Sequence, residues 1–171
     1  MLVELRLENY AVADNVVVEF ASGLNLLTGE TGAGKSILID ALSLLLGEKA
    51  SSDVIRTGAD RAVISAVFEI HSESKSGSGK SFEKILEDNG LDESDDGSLI
   101  LRREIATGGK GRVFVNNQPA TVAVLRQFAP HLSTIHAQNE SILAFDAPAR
   151  VGLLDAFAAS QLDSVAAAFV A

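Results

Sequence analysis

A glycine-rich segment near the N-terminus has the residue types and the spacing that phosphate binding needs. The pattern G-x-x-x-x-G-K-[ST] is met by Gly29-Glu30-Thr31-Gly32-Ala33-Gly34-Lys35-Ser36. Its glycines let the backbone curl so that several N–H groups converge on phosphate oxygens. The start of the following helix, which includes Ile37, adds free amides and a positive dipole end. We expect Lys35 to reach the β- and γ-phosphates and the Ser36 hydroxyl to bind Mg²⁺.

The segments on either side of this loop have the patterns that such a site requires. A short apolar run over residues 24–28 predicts a strand buried on both faces directly before the loop. Residues 36–46 are apolar almost all round, which predicts a helix buried in the interior, and Gly47 lies where a C-terminal cap belongs. This strand-loop-helix context favours a phosphate site over a chance glycine turn.

The rest of the chain predicts a mixture of strands and helices. Alternation over residues 2–9 and a valine-rich run over 15–20 predict two neighbouring strands. Further strands are predicted over 61–70, 99–105, 112–115 and 132–136, with a hairpin turn at 107–111 and another turn at 116–119. Helices are predicted over 82–89, 121–128, with Thr121 as cap, and 149–157. The order of these elements is that of a single α/β domain.

Two features that imitate parts of a nucleotide-hydrolysing site are interpreted as structural. Residues 77–81 repeat the tail of the loop motif, but Ser74 stands where the first glycine is required, so residues 71–80 are predicted to be a solvated loop. An apolar strand ending in Asp-Glu is not found, since Asp40 and Asp155 both lie on helical patterns. We therefore expect the chain to bind the phosphates of a nucleotide without an evident hydrolytic carboxylate.

Composition narrows the class of protein further. The 171 residues carry 14 Lys and Arg against 23 Asp and Glu, a net charge of −9, which argues against gripping nucleic acid by bulk charge. The absence of cysteine rules out disulfides, thiol catalysis and cysteine-ligated metals, and three scattered histidines are too few for a His-rich metal site. No stretch has the apolar length of a membrane helix and no signal peptide pattern is found, so a cytoplasmic location is expected.

Several stretches, taken in order, resemble one protein family. Similarity to the head region of the bacterial DNA double-strand-break repair members of the structural-maintenance-of-chromosomes (SMC) family is carried by residues 27–42, 54–58, 101–105, 113–116, 135–140 and 153–157. The heads of this family are ABC-type ATPases. The resemblance covers nearly the whole chain, and the ordered set is far more specific than the phosphate loop alone.

The resemblance implies an α/β fold of the P-loop NTPase class and of ABC/SMC head type, with a mixed sheet around the phosphate loop and an antiparallel β portion. In this family the head is split, so residues 1–158 would be its N-terminal lobe and residues 159–171 the start of a truncated coiled-coil helix. The C-terminal half of the same head would supply the ABC signature sequence, the Asp-Glu strand and a switch histidine.

The resemblance also implies the partners. ATP and Mg²⁺ would be the cofactors, and a second head would close across the ATP as a homodimer. Hydrolysis would then change how the coiled coils hold DNA in the full-length protein. These partners imply a cytoplasmic, nucleoid-associated protein without a membrane partner.

One further site residue is assigned by the resemblance alone. Gln138 would be the Q-loop glutamine, which contacts Mg²⁺ or its water and senses the γ-phosphate, so it joins Lys35 as a catalytic candidate and Ser36 as a metal ligand. An amide suits this role because it offers an oxygen to a metal and N–H groups to phosphate without adding charge. His136, at the end of a predicted strand, is interpreted as structural.

The roles of the other cations stay open. Lys49 lies where relatives often carry arginine, and no role is assigned to it. Arg56 is either a nucleotide or DNA contact or half of a surface ion pair. A basic cluster on the predicted hairpin is either solvated or a contact to phosphate backbones, and it consists of Arg102, Arg103, Lys110 and Arg112.

Two alternative functions remain at this point. A self-sufficient P-loop NTPase or kinase would turn over nucleotide with this chain alone, and the missing Asp-Glu strand argues against it. A non-catalytic nucleotide-binding scaffold would use an exposed apolar edge to bind a partner. The mean hydropathy of +0.22 fits either a scaffold or a lobe without its other half.

Overall fold

A computed structural model describes residues 1–29, 34–70, 78–94, 96–108, 111–133, 135 and 151, with the backbone alone for 78–81. The chain divides into two compact units, Met1–Thr134 and Ile135–Ala171. The architecture given below is that of the first unit. The helix predicted to begin a coiled coil at 159 lies outside the described residues, as do most of the helix predicted over 149–157 and the strand end at His136.

Six strands and three helices are described in the first unit. They are β1 (Leu2–Tyr10), β2 (Ala13–Glu19), α1 (Lys35–Leu45), β3 (Arg61–Glu69), α2 (Ser78–Asp88), β4 (Ser98–Ala106), β5 (Arg112–Val115), β6 (Gln118–Ala120) and α3 (Val122–Leu132), with a short 3-10 turn at Ser52–Val54. The strands form one sheet in the order β2-β1-β3-β4-β5-β6, and every pairing is antiparallel. The predicted α/β class and antiparallel β portion are confirmed, while the described strands include no parallel pair.

The core lies between one face of this sheet and the three helices. Alternate residues of the long strands point to that face, as Leu5 and Leu7 of β1 do, because side chains of a strand project to opposite sides in turn. Leu45 of α1 and Phe128 of α3 are fully buried in the same apolar cluster. The other face of the sheet carries charged side chains such as Arg6 and Arg102 together with apolar ones such as Val63 and Ile100.

Residues 24–28 do not form the predicted strand. The segment has no regular secondary structure, and the side chains of Leu24 and Leu26 are 95% and 80% exposed. A strand buried on both faces needs hydrogen-bonded neighbours and covering layers, and no strand of the described part pairs with this segment. The apolar run is therefore an exposed surface directly before the phosphate loop.

The prediction that α1 is buried throughout is confirmed for its second half only. Ala41, Leu44 and Leu45 are buried, whereas Ile39 is exposed. The helix contacts β3 and β4, and its buried residues all lie in its C-terminal half. Its N-terminal half therefore projects beyond this core and carries the motif residues with it.

The C-terminal end of α1 is fixed by its own backbone at the predicted glycine. Gly47 has a φ of +103°, and its N–H donates to the Leu44 carbonyl oxygen at 3.1 Å. The Glu48 N–H donates to the Ser43 carbonyl oxygen at 3.1 Å, which completes a Schellman motif. The predicted cap is confirmed, and it uses a backbone conformation that favours glycine.

A short strand, β6, was missed at the end of the second predicted turn. Asn116 and Asn117 have φ values of 48° and 63°, and Val115 pairs with Gln118 across them, as in a two-residue hairpin turn. The predicted turn over 116–119 therefore ends at Asn117, and β6 follows. Pro119 lacks an N–H and therefore argues against a strand at this position in the sequence. An edge strand tolerates proline, and β6 lies at the edge of the sheet.

Two helices are longer than predicted. The helix α2 begins at Ser78, so Ser78–Lys80 are helical and do not belong to a loop. The helix α3 continues through Pro130 to Leu132, so the predicted strand over 132–136 is wrong at Leu132. Pro130 lies in the last turn of the helix, where the Ser133 N–H still donates to the Ala129 carbonyl oxygen.

We predict that Tyr10 titrates far above the ordinary range for tyrosine. Burial, and then the nearby Asp40 carboxylate, raise the pKa of Tyr10 from 10.0 to about 12. The chain has one tyrosine and no tryptophan, so its tyrosinate ultraviolet absorbance reports Tyr10 alone. The folded chain should titrate near pH 12 and the urea-unfolded chain near pH 10.

The sign of this shift also predicts a pH dependence of stability. The folded state favours the neutral phenol, so the contribution is complete below about pH 10 and is lost as the pH rises towards 12. Tyr10→Phe should remove this part of the alkaline loss in the free energy of unfolding. A folded-state midpoint near pH 10 would contradict the predicted burial of the hydroxyl.

We predict that Gly47→Ala destabilises the chain more than Gly58→Ala does. Both glycines have positive φ, +103° and +90°, but only a Cβ at position 47 meets other atoms, 2.5 Å from Arg126 Cγ and 3.3 Å from its backbone nitrogen. The backbone change alone should cost about 1–2 kcal/mol at either site, and overpacking should add about 1 kcal/mol at Gly47. Urea unfolding measures the loss in free energy of unfolding for both variants. Equal losses would show that the Arg126 side chain shifts away from the new Cβ at no cost in free energy.

Candidate functional site

The structure describes the phosphate-loop motif at its two ends. Gly29 opens the motif, Gly34 is the residue before α1, and Lys35, Ser36 and Ile37 form the first turn of the helix. The four residues between them, Glu30, Thr31, Gly32 and Ala33, lie outside the described residues. The helix thus begins where the motif requires it, and the binding roles of these residues stay predictions.

Lys35 reaches from the helix back to the start of the loop. Its Nζ donates to the Gly29 carbonyl oxygen at 2.5 Å. This contact joins the seventh residue of the motif to the first. It keeps an ammonium group beside the loop that is predicted to bind phosphate, which is where a phosphate anion would use its charge.

The first turn of α1 offers an unblocked helix N-terminus. No described side chain caps it, and no acidic residue lies in its first turn. The amides of a first helical turn have no partner inside the helix and carry part of the positive end of the helix dipole. The exposed Ser36 lies in this turn, so its hydroxyl is accessible from solvent.

An open cleft of about 600 Å³ lies beside the motif. One wall comes from the β1–β2 hairpin and the other from the segment around the motif; together they comprise Leu7, Val12, Ala13, Val16, Leu27, Thr28, Gly29, Gly34, Lys35, Ile37 and Leu38. The volume lies in the range of about 300–1,000 Å³ that is typical of small-molecule sites. The lining is mainly apolar, and Lys35 is its only charged residue among those described.

The hairpin wall is held by the segment that follows α1. The Ala11 N–H donates to the Val54 carbonyl oxygen at 2.7 Å, and the Arg56 N–H donates to the Asn9 carbonyl oxygen at 2.9 Å. These bonds tie the end of β1 to the chain that leaves the helix. Sequence analysis missed this wall; the available signal was Val12, an apolar residue in a tight turn, which is 76% exposed.

Arg56 is half of a surface ion pair. Its Nη1 lies 2.9 Å from Asp14 Oδ1 of β2, and both side chains are exposed. Of the two roles left open by the sequence, the ion pair is the one that the structure shows. An exposed pair of this kind adds little to stability.

The predicted basic cluster is divided between the two faces of the sheet. Arg102 and Arg103 are neighbours on β4, so their side chains point to opposite sides. On the outer face the buried Glu104 carboxylate hydrogen-bonds Arg102 and lies 3.9 Å from Arg61 and 3.8 Å from Arg112. Lys110 lies outside the described residues. Three arginines thus surround one buried carboxylate, and they do not form a purely cationic patch.

Arg103 lies on the inner face and caps the C-terminal end of α1. Its side chain is only 7% exposed, and its Nη1 donates to the carbonyl oxygens of Leu44 and Glu48. Arg126 of α3 donates from Nε to the Gly47 carbonyl oxygen at 2.9 Å. Burial, and then the nearby Arg126, lower the pKa of Arg103. Cations suit this end of a helix, where the carbonyl groups have no partner in the helix.

Several predicted site residues lie outside the described part. Glu30, Thr31, Gly32, Ala33 and Gln138 belong to this group, and so do His136 and Asp155, which were interpreted as structural; the roles of all of them stay predictions. Asp40 is described and lies within α1, as predicted. Among the described residues, no group of three or more His, Asp or Glu side chains is placed to hold a metal ion. In the same part of the chain, no helix is long and apolar enough to cross a membrane.

Comparison with known proteins extends the similarity over nearly the whole chain. The family described as AAA domain matches residues 4–164. The DNA repair protein RecN of Bacillus subtilis (strain 168) is 38% identical over 164 residues, which are 96% of this chain and 27% of that protein. RecN of Xylella fastidiosa (strain 9a5c) is 38% identical over 165 residues, 95% of this chain and 28% of its own length. The chain thus spans little more than a quarter of these relatives, and the predicted resemblance is confirmed.

Solved structures have the same fold. A structure of an SMC ATPase studied for ATP-driven dimerization and DNA-stimulated activation has a TM-score of 0.62 at 20% identity, over 90% of this chain and 96% of that chain. The recombination mediator protein RecF with ATP has a TM-score of 0.59 at 16% identity, over 87% of this chain and 35% of that chain. At such low identity the similarity establishes the fold alone, and it confirms the predicted ABC/SMC head type.

Proposed function

Because the chain belongs to the AAA domain family, we propose that it is the nucleotide-binding N-terminal lobe of an SMC-like DNA repair ATPase. The observation that carries this proposal is the joining of three features at one place. The Lys35 ammonium, the uncapped first turn of α1 and the apolar cleft all meet beside the loop motif. We assign residues 1–158 to the lobe and residues 159–171 to the start of a coiled-coil helix.

The described residues fit the two chemically different parts of ATP. The triphosphate needs cations and N–H donors, and Lys35 with the first turn of α1 supplies both. The adenine ring needs an apolar surface next to the phosphate site, and Val12, Val16 and Leu27 line the same cleft. A Cβ built on Gly34 would have no atom of the described residues within 4 Å, and this open space supports a phosphoryl group at that position.

Mg²⁺ would be held by Ser36 and Gln138 together with phosphate oxygens. The Ser36 hydroxyl is exposed in the first turn of α1, where a hydroxyl next to a bound triphosphate can take a metal position. When bound, the ion would neutralise phosphate charge and polarise the γ-phosphoryl group. The part of this chain is to bind and orient the nucleotide: Lys35 offsets charge, and Gln138 would sense the γ-phosphate.

Efficient hydrolysis would need groups from outside the lobe. The cleft has no carboxylate among its described lining residues. We assign the missing carboxylate to the C-terminal half of the same head, and we assign the closing surface over the nucleotide to a second head. The exposed Leu24 and Leu26 support a covering partner, because an apolar run of this kind beside a binding site is a typical interface. ATP-driven closure would then be coupled to DNA holding in the whole, nucleoid-associated protein.

We predict that the chain binds Mg-ATP through Lys35 and releases no phosphate. Lys35→Ala should weaken binding by about tenfold or more, because it removes charge-assisted hydrogen bonds to the phosphates. Lys84→Ala is the matched control, since Lys84 is an exposed lysine of α2 outside the cleft. Calorimetry measures the affinity, and a phosphate-release assay runs beside it.

Each other outcome favours a different function. Turnover by the isolated chain that depends on Lys35 would favour a self-sufficient NTPase and contradict the half-site. Equal affinity of the chain and Lys35→Ala would remove Lys35 from the site. Tight association with the rest of the protein, independent of nucleotide, would favour the non-catalytic scaffold.

We also predict that Val12 contacts the base and not the phosphates. Val12→Ser should weaken ATP binding by about fivefold, because it removes part of the apolar surface that the ring would cover. The affinity for inorganic tripolyphosphate should stay unchanged. Val17→Ser is the matched control, since Val17 is an exposed residue of β2 that does not line the cleft. Equal losses for ATP and tripolyphosphate would place the base elsewhere.

A further inference from the structure

A second cavity lies at the end of α1 that faces away from the phosphate loop. Its volume is about 500 Å³. It is lined by the chain after α1, by the β4–β5 hairpin and by α3, through Glu48, Lys49, Ala50, Ser52, Arg103, Glu104, Ile105, Ala106, Gly111, Val113, Val122 and Arg126. The helix has 11 residues. At a rise of about 1.5 Å per residue it separates the two sites by roughly 16 Å.

Arg103 brings unused hydrogen-bond donors to this cavity. Both N–H bonds of its Nη1 serve the Leu44 and Glu48 carbonyl oxygens. A guanidinium group has five N–H bonds, and no described residue accepts one from Nε or Nη2 of Arg103. Neither atom is among the buried side-chain atoms that lack a partner in the described part, so solvent reaches both, and Arg103 is a lining residue of the cavity. An acceptor bound in the cavity would take the place of water on these donors.

The cavity also holds positive charge without a paired carboxylate. Arg126 lies close enough to Arg103 to lower its pKa, and it uses Nε on the Gly47 carbonyl oxygen. Lys49 lines the same cavity, and none of these three cations forms an ion pair with a described residue. Two like charges held together in a partly buried place repel each other unless an anion lies between them.

The two acidic residues that line the cavity, Glu48 and Glu104, do not neutralise its three cations. Glu104 is already engaged by Arg61, Arg102 and Arg112. Glu48 has an exposed side chain, and the contact that it makes to Arg103 is through its backbone carbonyl. Gly111 lies close to the backbone of β4. A Cβ added at this position would be 2.9 Å from the Glu104 carbonyl oxygen, so a larger residue would require the backbone to shift.

We propose that this cavity binds the phosphoryl group of a phosphate ester between Arg103, Arg126 and Lys49. A phosphoryl group offers several acceptor oxygens to the free donors and a negative charge to the three cations. The apolar lining from Ile105, Val113 and Val122 would take the organic part of the ester. The ester is either a small molecule or the phosphodiester backbone of a nucleic acid. This site is separate from the proposed nucleotide site and does not depend on it.

The test is a titration of the chain carrying Lys35→Ala, so that the phosphate loop contributes little. The probes are inorganic phosphate, glycerol phosphate and a short single-stranded oligonucleotide, and the readout is the Nε–Hε nuclear magnetic resonance of Arg103 and Arg126. We expect saturable shifts of both resonances. Arg126→Gln and Lys49→Gln should each weaken binding by about tenfold, the effect of losing one charged hydrogen-bond donor.

Matched controls keep the loss specific to the cavity. Arg6→Gln and Lys84→Gln remove exposed cations of β1 and α2 that do not line it, and they should leave the affinity unchanged. Lys49→Gln provides the test if Arg126→Gln unfolds the chain, because Lys49 is exposed and makes no hydrogen bond to a described residue.

The outcomes separate the sources and decide the proposal. Tighter binding of glycerol phosphate supports the site with a small ester as its ligand, and tighter binding of the oligonucleotide supports it with a phosphodiester backbone. Unchanged Arg103 and Arg126 resonances with all three probes would overturn it. Equal affinities of Lys49→Gln and Lys84→Gln would overturn it as well. Either failure leaves the proposed nucleotide site untouched, since that site was silenced by Lys35→Ala.

Discussion

The anchoring of α1 at its C-terminal end is the interaction on which the rest of the structure depends. Arg103 comes from the middle of the sheet and Arg126 from α3, and both donate to carbonyl oxygens at the end of the helix. The Schellman motif at Gly47 completes the attachment. Contacts from β4 and α3 and the Schellman motif thereby fix the position of α1. The first turn of that helix carries Lys35 and Ser36.

The candidate nucleotide site is built from a fixed helix and a hairpin that is tied to it. The backbone hydrogen bonds from Ala11 and Arg56 connect the hairpin to the segment that follows α1. Both walls of the cleft are therefore attached to the same helix. The apolar wall and the cationic loop belong to different segments. Their separation explains how one lobe could bind the base and the phosphates of a nucleotide by different physical forces.

Local features were predictable from the sequence, and long-range ones were not. The phosphate motif, the glycine at the end of α1 and the hairpin between β4 and β5 follow from residue types and spacing. The strand predicted at 24–28 was wrong. An apolar run indicates that burial of these side chains is favourable, but it does not show whether residues of this chain bury them. The role of Arg103 depends on carbonyls of a helix 55 and 59 residues away in sequence, which no local pattern records. The sequence could, however, have predicted that Arg102 and Arg103 lie on opposite faces of the sheet, since adjacent residues of a strand point to opposite sides.

The exposed run around Leu24 and Leu26 has a consequence for the order of assembly. In a relative such as RecN of Bacillus subtilis, the matching part is 27% of the protein, so a ribosome making such a protein from its N-terminus would finish most of the polypeptide later. At about 5–20 residues per second, the lobe would wait tens of seconds with this surface open to water. Apolar surface left open invites self-association. If the proposed C-terminal half covers this surface, it would also protect a newly made lobe from self-association.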